Sequence, residues 1–128
     1  MVELNGSSEN GGMDQKRPLP ARVTCISGKQ LVRGTTAHFD DVGMLIMCRN
    51  PLPVNLKVSL KIQFPDLKEP LEIEATVVWS NAYGPDDTIT PRGMAVKYDN
   101  LDSETAKILA NFSLRYEVYG DQYRCYYT

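Results

Sequence analysis

Two stretches of this 128-residue chain carry side chains suited to holding an anionic ligand. In the first, Arg17 and Arg22 lead into a run of alternating apolar residues. The second contains His38, Asp40 and Gly43 and leads into another such run. A guanidinium group pairs with phosphate oxygens through two parallel hydrogen bonds, a carboxylate accepts from N–H donors, and glycine lets the backbone approach a ligand closely. If both stretches reach the same end of the fold, they form one binding site.

The signatures of the common catalytic sites are missing from the sequence. There is no HExxH motif, His38 is the only histidine, and no Gly-x-Ser-x-Gly elbow occurs. The glycine-rich stretch 6–12 lacks the Lys-Ser/Thr ending of a phosphate-binding loop. We therefore expect a binding module rather than an enzyme, with no metal and no cofactor. A pair of carboxylates that meet in space is the catalytic arrangement that the sequence leaves open.

Composition and charge narrow the classes of partner. The net charge of −2 provides no overall positive field for nucleic acid. Cys25, Cys48 and Cys125 are an odd, sparse set without metal-ligand spacing, which favours a reducing, cytoplasmic location. The chain has neither the pattern of a signal peptide nor a run of 18 apolar residues, so we expect no membrane insertion.

Six runs alternate between apolar and polar residues with a period of two, which is typical of strands with one buried face. The residues predicted to face inward are Val23 and Cys25; Thr35, Ala37 and Phe39; Met44, Ile46 and Cys48; Leu56, Val58, Leu60, Ile62 and Phe64; Leu71, Ile73, Ala75, Val77 and Trp79; and Met94, Val96 and Tyr98. Turn residues separate the runs. The sequence therefore predicts a mostly-β fold, a closed or nearly closed antiparallel barrel of six strands.

A single helix is predicted after the strands. Asp102 or Ser103 can cap it, and Glu104 suits its first turn. Its apolar stripe comprises Thr105, Ile108, Leu109, Phe112 and Tyr116. This stripe is expected to lie against the barrel, and Gly120 is expected to end the element.

The chain divides into three parts on this basis: a flexible leader over residues 1–16, a barrel with its helix over 17–118, and an aromatic tail over 119–128. Five of the seven tyrosines fall late in the chain, and the first four of them recur at helical spacing: Tyr116, Tyr119, Tyr123, Tyr126 and Tyr127. They either pack the tail onto the barrel or form an aromatic docking surface for a partner protein.

Several strand motifs resemble those of the PilZ domain, the bacterial receptor module for cyclic di-GMP. The resemblance rests on the Ala-Thr-Val-Val-Trp run over 75–79 and the Arg-Gly-Met-Ala-Val-Lys-Tyr run over 92–98. The Pro-Leu-Pro sequence at 51–53, which leads into a long amphipathic strand, adds to it. The resemblance covers residues 17–112 and implies a PilZ-like six-stranded barrel with a C-terminal helix.

The ligand motifs of that family are only partly kept. The family has Arg-x-x-x-Arg before its first strand; Arg22 matches the second arginine, but Pro18 stands at the first position and Arg17 lies one residue earlier. The family also has Asp/Asn-x-Ser/Ala-x-x-Gly before a later strand. Here Gly43 matches, whereas His38 and Asp40 replace the other two residue types.

The resemblance implies that cyclic di-GMP binds to Arg17, Arg22, His38, Asp40 and Gly43, and that binding is relayed to a downstream protein. An Asp40 carboxylate can accept from the guanine N1–H and N2–H₂ groups, although its charge disfavours nearby phosphates. The alternative is a degenerate PilZ domain that has lost the nucleotide and acts as a protein–protein adaptor.

Each candidate residue also has a purely structural interpretation. Asp40 and Asp41 can form a turn by accepting bonds from nearby backbone N–H groups. His38 can be an exposed residue at a strand end, and Gly43 a turn glycine with positive φ. Trp79 is expected in the core rather than on a ligand platform.

Overall fold

The computed structural model describes residues 21–87, 90–115 and 121–128. The leader over 1–16, Arg17 and the predicted helix end at Gly120 therefore lie outside the described residues. Six strands, one α-helix and one 3₁₀ helix follow in chain order: β1 Arg22–Ser27, β2 Gln30–Phe39, β3 Gly43–Met47, β4 Lys57–Gln63, β5 Leu71–Asn81, β6 Gly93–Tyr98, α1 Ser103–Arg115 and the 3₁₀ helix Asp121–Tyr126.

The six strands form a closed barrel in the order β1-β2-β3-β6-β5-β4, with every pair antiparallel. Closure leaves no strand edge unpaired, so no row of backbone donors and acceptors is left open to another chain. The predicted fold class, a mostly-β six-stranded antiparallel barrel with a C-terminal helix, is confirmed.

Period-two alternation places the core inside the barrel, most clearly in β4. Val58, Leu60 and Ile62 are buried there, while Lys57 and Lys61 point outward and are exposed. A one-residue slip of this strand would bury both lysines, so the hydrophobic pattern fixes the register. The buried side chains of β4 belong to one continuous core that includes residues of every strand.

Two register shifts change which side chains face outward. Ala37 is an extra residue between Thr36 and His38 of β2, and Val78 is an extra residue between Val77 and Trp79 of β5. Such bulges reverse the alternation beyond the inserted residue. Two predictions are therefore wrong: Ala37 packs in a second, outer cluster, and Trp79 packs against that same cluster.

The prediction for Thr35 is also wrong. Thr35 pairs with Arg22 of β1 and lines the outer surface of the barrel, while its neighbour Thr36 is buried. The threonine that faces inward thus differs by one position from the prediction.

Helix α1 packs onto the barrel through Leu109 and Phe112, as predicted. Asp102 caps it, because its Oδ1 accepts a hydrogen bond from the N–H of Thr105 at 2.7 Å. The ring of Phe112 meets that of Phe64 edge-on, with centroids 4.7 Å apart. This contact fixes the helix against the end of β4.

Candidate functional site

The start of β1 and the turn between β2 and β3 lie at the same end of the barrel. The N–H of Ala21, just before β1, donates to the Oγ1 of Thr36 at 3.1 Å, and the N–H of Thr36 donates back to the Ala21 carbonyl at 3.0 Å. Strand β2 then runs on to Phe39 and enters the turn. The two stretches singled out from the sequence thus reach a common rim, although Arg17 is outside the described residues.

Arg22 points outward from β1 into a shallow basic groove of ≈590 Å³ that also includes Arg33 and Lys61. The groove crosses β4, β1 and β2, because Thr24 of β1 pairs with Lys61 on one side and with Arg33 on the other. Among the described carboxylates, none forms an ion pair with these three cations. Arg22 is therefore available to an anion.

Asp40 organises the β2–β3 turn. Its Oδ1 accepts from the N–H of Val42 at 2.8 Å and from that of Gly43 at 3.2 Å. Its own N–H donates to the Gly43 carbonyl at 3.1 Å. The structural interpretation of Asp40 as a turn residue is confirmed.

The second carboxylate oxygen of Asp40 contacts the C-terminal segment, which we define as residues 121–128. The Nε of Arg124 donates to it at 2.7 Å. Burial by itself raises the pKa of Asp40. The hydrogen bonds from Arg124 and from the two turn N–H groups lower the pKa by more than burial raises it, so the net shift is downward. The carboxylate is thus charged and already engaged.

His38 is not an exposed strand-end residue, so that interpretation is wrong. Its Nδ1 lies 2.6 Å from the hydroxyl oxygen of Tyr127, and the two side chains are only 5% and 2% exposed. His38 pairs with Leu45 of β3, and Leu45 is fully buried in the outer cluster. The C-terminal segment is what covers His38.

Gly43 has no positive φ, so the turn-glycine interpretation is wrong in that respect. What it provides is space. A Cβ at Gly43 would run into the carbonyl of Val96 and lie 2.6 Å from the Tyr127 ring. Glycine is therefore required here for the close approach of β6 and of the C-terminal segment.

One cross-strand row on the outer face lies under this segment: His38, Leu45, Ala95 and Trp79 are paired in turn across β2, β3, β6 and β5. Together with Asp40 we call this row the covered patch. The ring of Tyr126 lies on that of Trp79, with centroids 4.3 Å apart.

Of the predicted aromatic tail, Tyr126 and Tyr127 pack onto the barrel. Tyr116, Tyr119 and the side chain of Tyr123 are outside the described part of the chain. The tail therefore contacts the barrel through its last two tyrosines at least.

A buried hydroxyl lies close to the turn. The Oη of Tyr98 is inaccessible to solvent and has no hydrogen-bond partner within the part of the chain that the structure describes. Burial raises the pKa of Tyr98 well above its usual value, and nearby Tyr127, Asp40 and Asp41 raise it further. A polar group thus stands unsatisfied beside the Asp40 turn.

Two participants in this site were not predicted from the sequence: Arg124 and Tyr98. Tyr98 was assigned to the core, whereas Tyr127 belonged to the predicted aromatic tail. The one available signal was that Arg124 is the only cation of the tail over 119–128. Nothing local in the sequence indicates that it meets Asp40, 84 residues earlier.

Residues 21–87, 90–115 and 121–128 were also compared with the requirements of a metal site and of a membrane-spanning helix. No group of three or more His, Cys, Asp or Glu side chains there is arranged to hold a metal ion. Neither helix in those ranges has the length and apolar content needed to cross a bilayer.

Comparisons with known proteins agree with this geometry. No curated protein matches the sequence. Among solved structures, the Bacillus subtilis inhibitor of motility MotI/DgrA is similar, with a TM-score of 0.59 and 15% sequence identity. The similarity covers 80% of this chain and 51% of that one, so this chain spans about half the length of MotI. The sequence model of the PilZ domain matches residues 14–115. That match includes the whole barrel and α1, and this chain therefore belongs to the PilZ domain family.

Proposed function

We propose that this PilZ domain is a receptor for cyclic di-GMP, and that the nucleotide binds across the covered patch and the adjoining start of β1. The observation that carries the proposal is the common rim. The two hydrogen bonds between Ala21 and Thr36 bring the chain that enters β1 alongside the strand that ends in the Asp40 turn. The domain would relay binding to a partner protein, as family membership suggests.

The chemistry of the rim suits a ligand with two guanines and two phosphates. Arg22 offers a planar fork to a phosphate or to guanine O6 and N7. The Asp40 carboxylate can accept from guanine N1–H and N2–H₂, and the indole of Trp79 offers a face on which a base can stack. His38 and Gly43 line the same surface, and Arg17 precedes Arg22 by five residues.

Calorimetric titration of cyclic di-GMP into the full chain tests this function. We expect micromolar affinity, and we expect Arg22→Ala to weaken it about 10- to 100-fold, because a charge-assisted bidentate contact contributes roughly 1.5–3 kcal/mol. Arg49→Ala is the matched control, because Arg49 is exposed and follows β3 at the opposite end of the barrel. Equal losses in the two variants would mean that only general charge matters.

An adaptor that binds no nucleotide is the second candidate. It is favoured by the covering of the patch by the chain's own C-terminal segment and by His38 and Asp40 standing at altered motif positions. This candidate predicts that titrating cyclic di-GMP into about 100 µM protein gives no binding heat, either in the wild type or in any variant that uncovers the patch. The structural neighbour described as an inhibitor of motility makes a motility protein a reasonable first partner to test for either candidate.

A further inference from the structure

The C-terminal segment occupies the surface that we assign to the nucleotide. We propose that the segment is an internal competitor of cyclic di-GMP, and that ligand binding releases Tyr126 and Tyr127 as the surface that a partner protein meets. This inference rests on the proposed function and adds its regulation and its output.

The segment presents to the patch the same chemistry as a guanine base. Guanine combines a planar edge of N–H donors with an aromatic face. The planar guanidinium of Arg124 donates to Asp40 at 2.7 Å, where the guanine edge would donate. The Tyr126 ring lies on Trp79, where the base would stack. Because each contact uses the group that the ligand needs, the segment and the ligand cannot both be in place.

The segment can leave without breaking the barrel. The N–H groups of Tyr127 and Thr128 donate to the Arg124 carbonyl at 3.2 and 3.1 Å, so these backbone bonds lie within the segment. The Arg124 and Asp40 side chains are 47% and 18% exposed, and such partly solvated ion pairs are weak. Short elements of this kind are among the parts of a protein that open at the lowest cost in free energy.

The docked segment also leaves one polar group of the site unsatisfied. The buried Tyr98 hydroxyl, close to Tyr127 and Asp40, has no partner among the described residues. A ligand or water that enters when Tyr127 leaves can supply that partner. The segment is therefore an imperfect occupant, as an exchangeable competitor must be.

Release would change the surface of the domain. Tyr127 is 2% exposed in the docked state, and Tyr126 is partly covered by Trp79. Once detached, two adjacent tyrosines next to Arg124 would be open to solvent. Tyrosine and arginine are the residue types enriched in the centres of protein interfaces.

The test follows the segment and the ligand together in the full chain. Cys125 is exposed, whereas Cys25 and Cys48 are buried with pKa values raised to about 12 and about 11, so a thiol-directed spin label attaches at Cys125. We expect cyclic di-GMP to convert a restrained label spectrum into a mobile one. We also expect Tyr127→Ala to be mobile without ligand and to bind cyclic di-GMP at least about tenfold more tightly than the wild type.

Two controls make the outcome decisive. Tyr83→Ala removes a tyrosine that is 96% exposed and should change neither label mobility nor affinity. Arg124→Ala should act in the same direction as Tyr127→Ala while leaving the packing of Gly43 intact. Nucleotide binding with an unchanged label spectrum, and with equal affinity in the two tail variants and the wild type, overturns the competition but leaves the receptor. Absence of binding in the wild type and in both tail variants overturns the receptor itself, and the competition with it.

Discussion

Replacing Tyr127 by alanine measures how firmly the C-terminal segment holds the covered patch. Tyr127 is 2% exposed, its hydroxyl lies 2.6 Å from His38 Nδ1, and its ring packs on Gly43. Truncating a buried aromatic side chain in a core costs about 3–5 kcal/mol, whereas removing one hydrogen-bonded hydroxyl costs about 1–2 kcal/mol. Tyr127→Phe should therefore lower the free energy of unfolding by about 1–2 kcal/mol and keep the segment docked.

The alanine variant should lose less than the full cost of a core truncation. If the segment is a separate unit, the variant can undock it, and the loss is then limited to the free energy of docking. Adding Arg124→Ala to Tyr127→Ala should then cost nothing further, although Arg124→Ala alone should cost about 1 kcal/mol through its ion pair with Asp40.

Urea unfolding followed by circular dichroism gives these free energies, and Trp79 reports docking independently. Trp79 is the only tryptophan, and Tyr126 lies on its ring, so undocking should shift its emission to longer wavelength. Fully additive losses of about 4 kcal/mol or more in the double variant would show that the segment is part of the cooperative barrel and not a separate unit.

Four further predictions follow from single sites. Because hydrogen bonds lower the pKa of Asp40 in the folded state, the ionised carboxylate stabilises the fold above the unfolded pKa of about 3.9. This contribution is lost as the pH falls through the folded pKa. Between pH 7 and about pH 2.5, the urea midpoint should therefore fall less steeply in Asp40→Asn than in the wild type. In the native state, a thiol reagent at pH 8 should modify Cys125 and spare the two buried cysteines, and rapid modification of three thiols would contradict the fold. Asn81→Ala should cost about 2–3 kcal/mol, because its amide contacts four backbone groups of the β5–β6 loop, and an unchanged thermal midpoint would contradict this. Gly43→Ala should destabilise the chain by about 3 kcal/mol in urea and also undock the segment, because the added methyl meets β6 and Tyr127.

The barrel was predictable because hydrophobic alternation is a local signal with a period set by strand geometry. In β4, every second residue from Val58 to Ile62 is buried, as the pattern requires. The cap of α1 at Asp102 and the burial of Leu109 and Phe112 were likewise contained in a few adjacent residues. Such signals need no knowledge of distant parts of the chain.

The faces of His38 and Trp79 were not predictable in the same way. Each follows an extra residue in its strand, Ala37 or Val78, and these bulges are set by pairing with neighbouring strands. The two shifts turn both side chains to the outer face, where the covered patch forms. An alternation count carried straight through the strand assigns Trp79 to the core.

The covering of the patch depends on contacts between residues far apart in the chain. Asp40 was correctly given the role of a turn residue, because an aspartate bonding to the next backbone N–H groups is a local arrangement. Its pairing with Arg124 depends on where the chain returns after α1, and the sequence alone does not specify that path.

The decisive measurement is a titration of cyclic di-GMP into the full wild-type chain, with binding heat and the mobility of a label at Cys125 recorded on the same preparation. If the segment and the nucleotide share one surface, binding is saturable and micromolar, and the C-terminal segment is released over the same concentration range. Heat without release would contradict the shared surface. No heat from the wild type or from Tyr127→Ala would contradict the receptor and leave an adaptor.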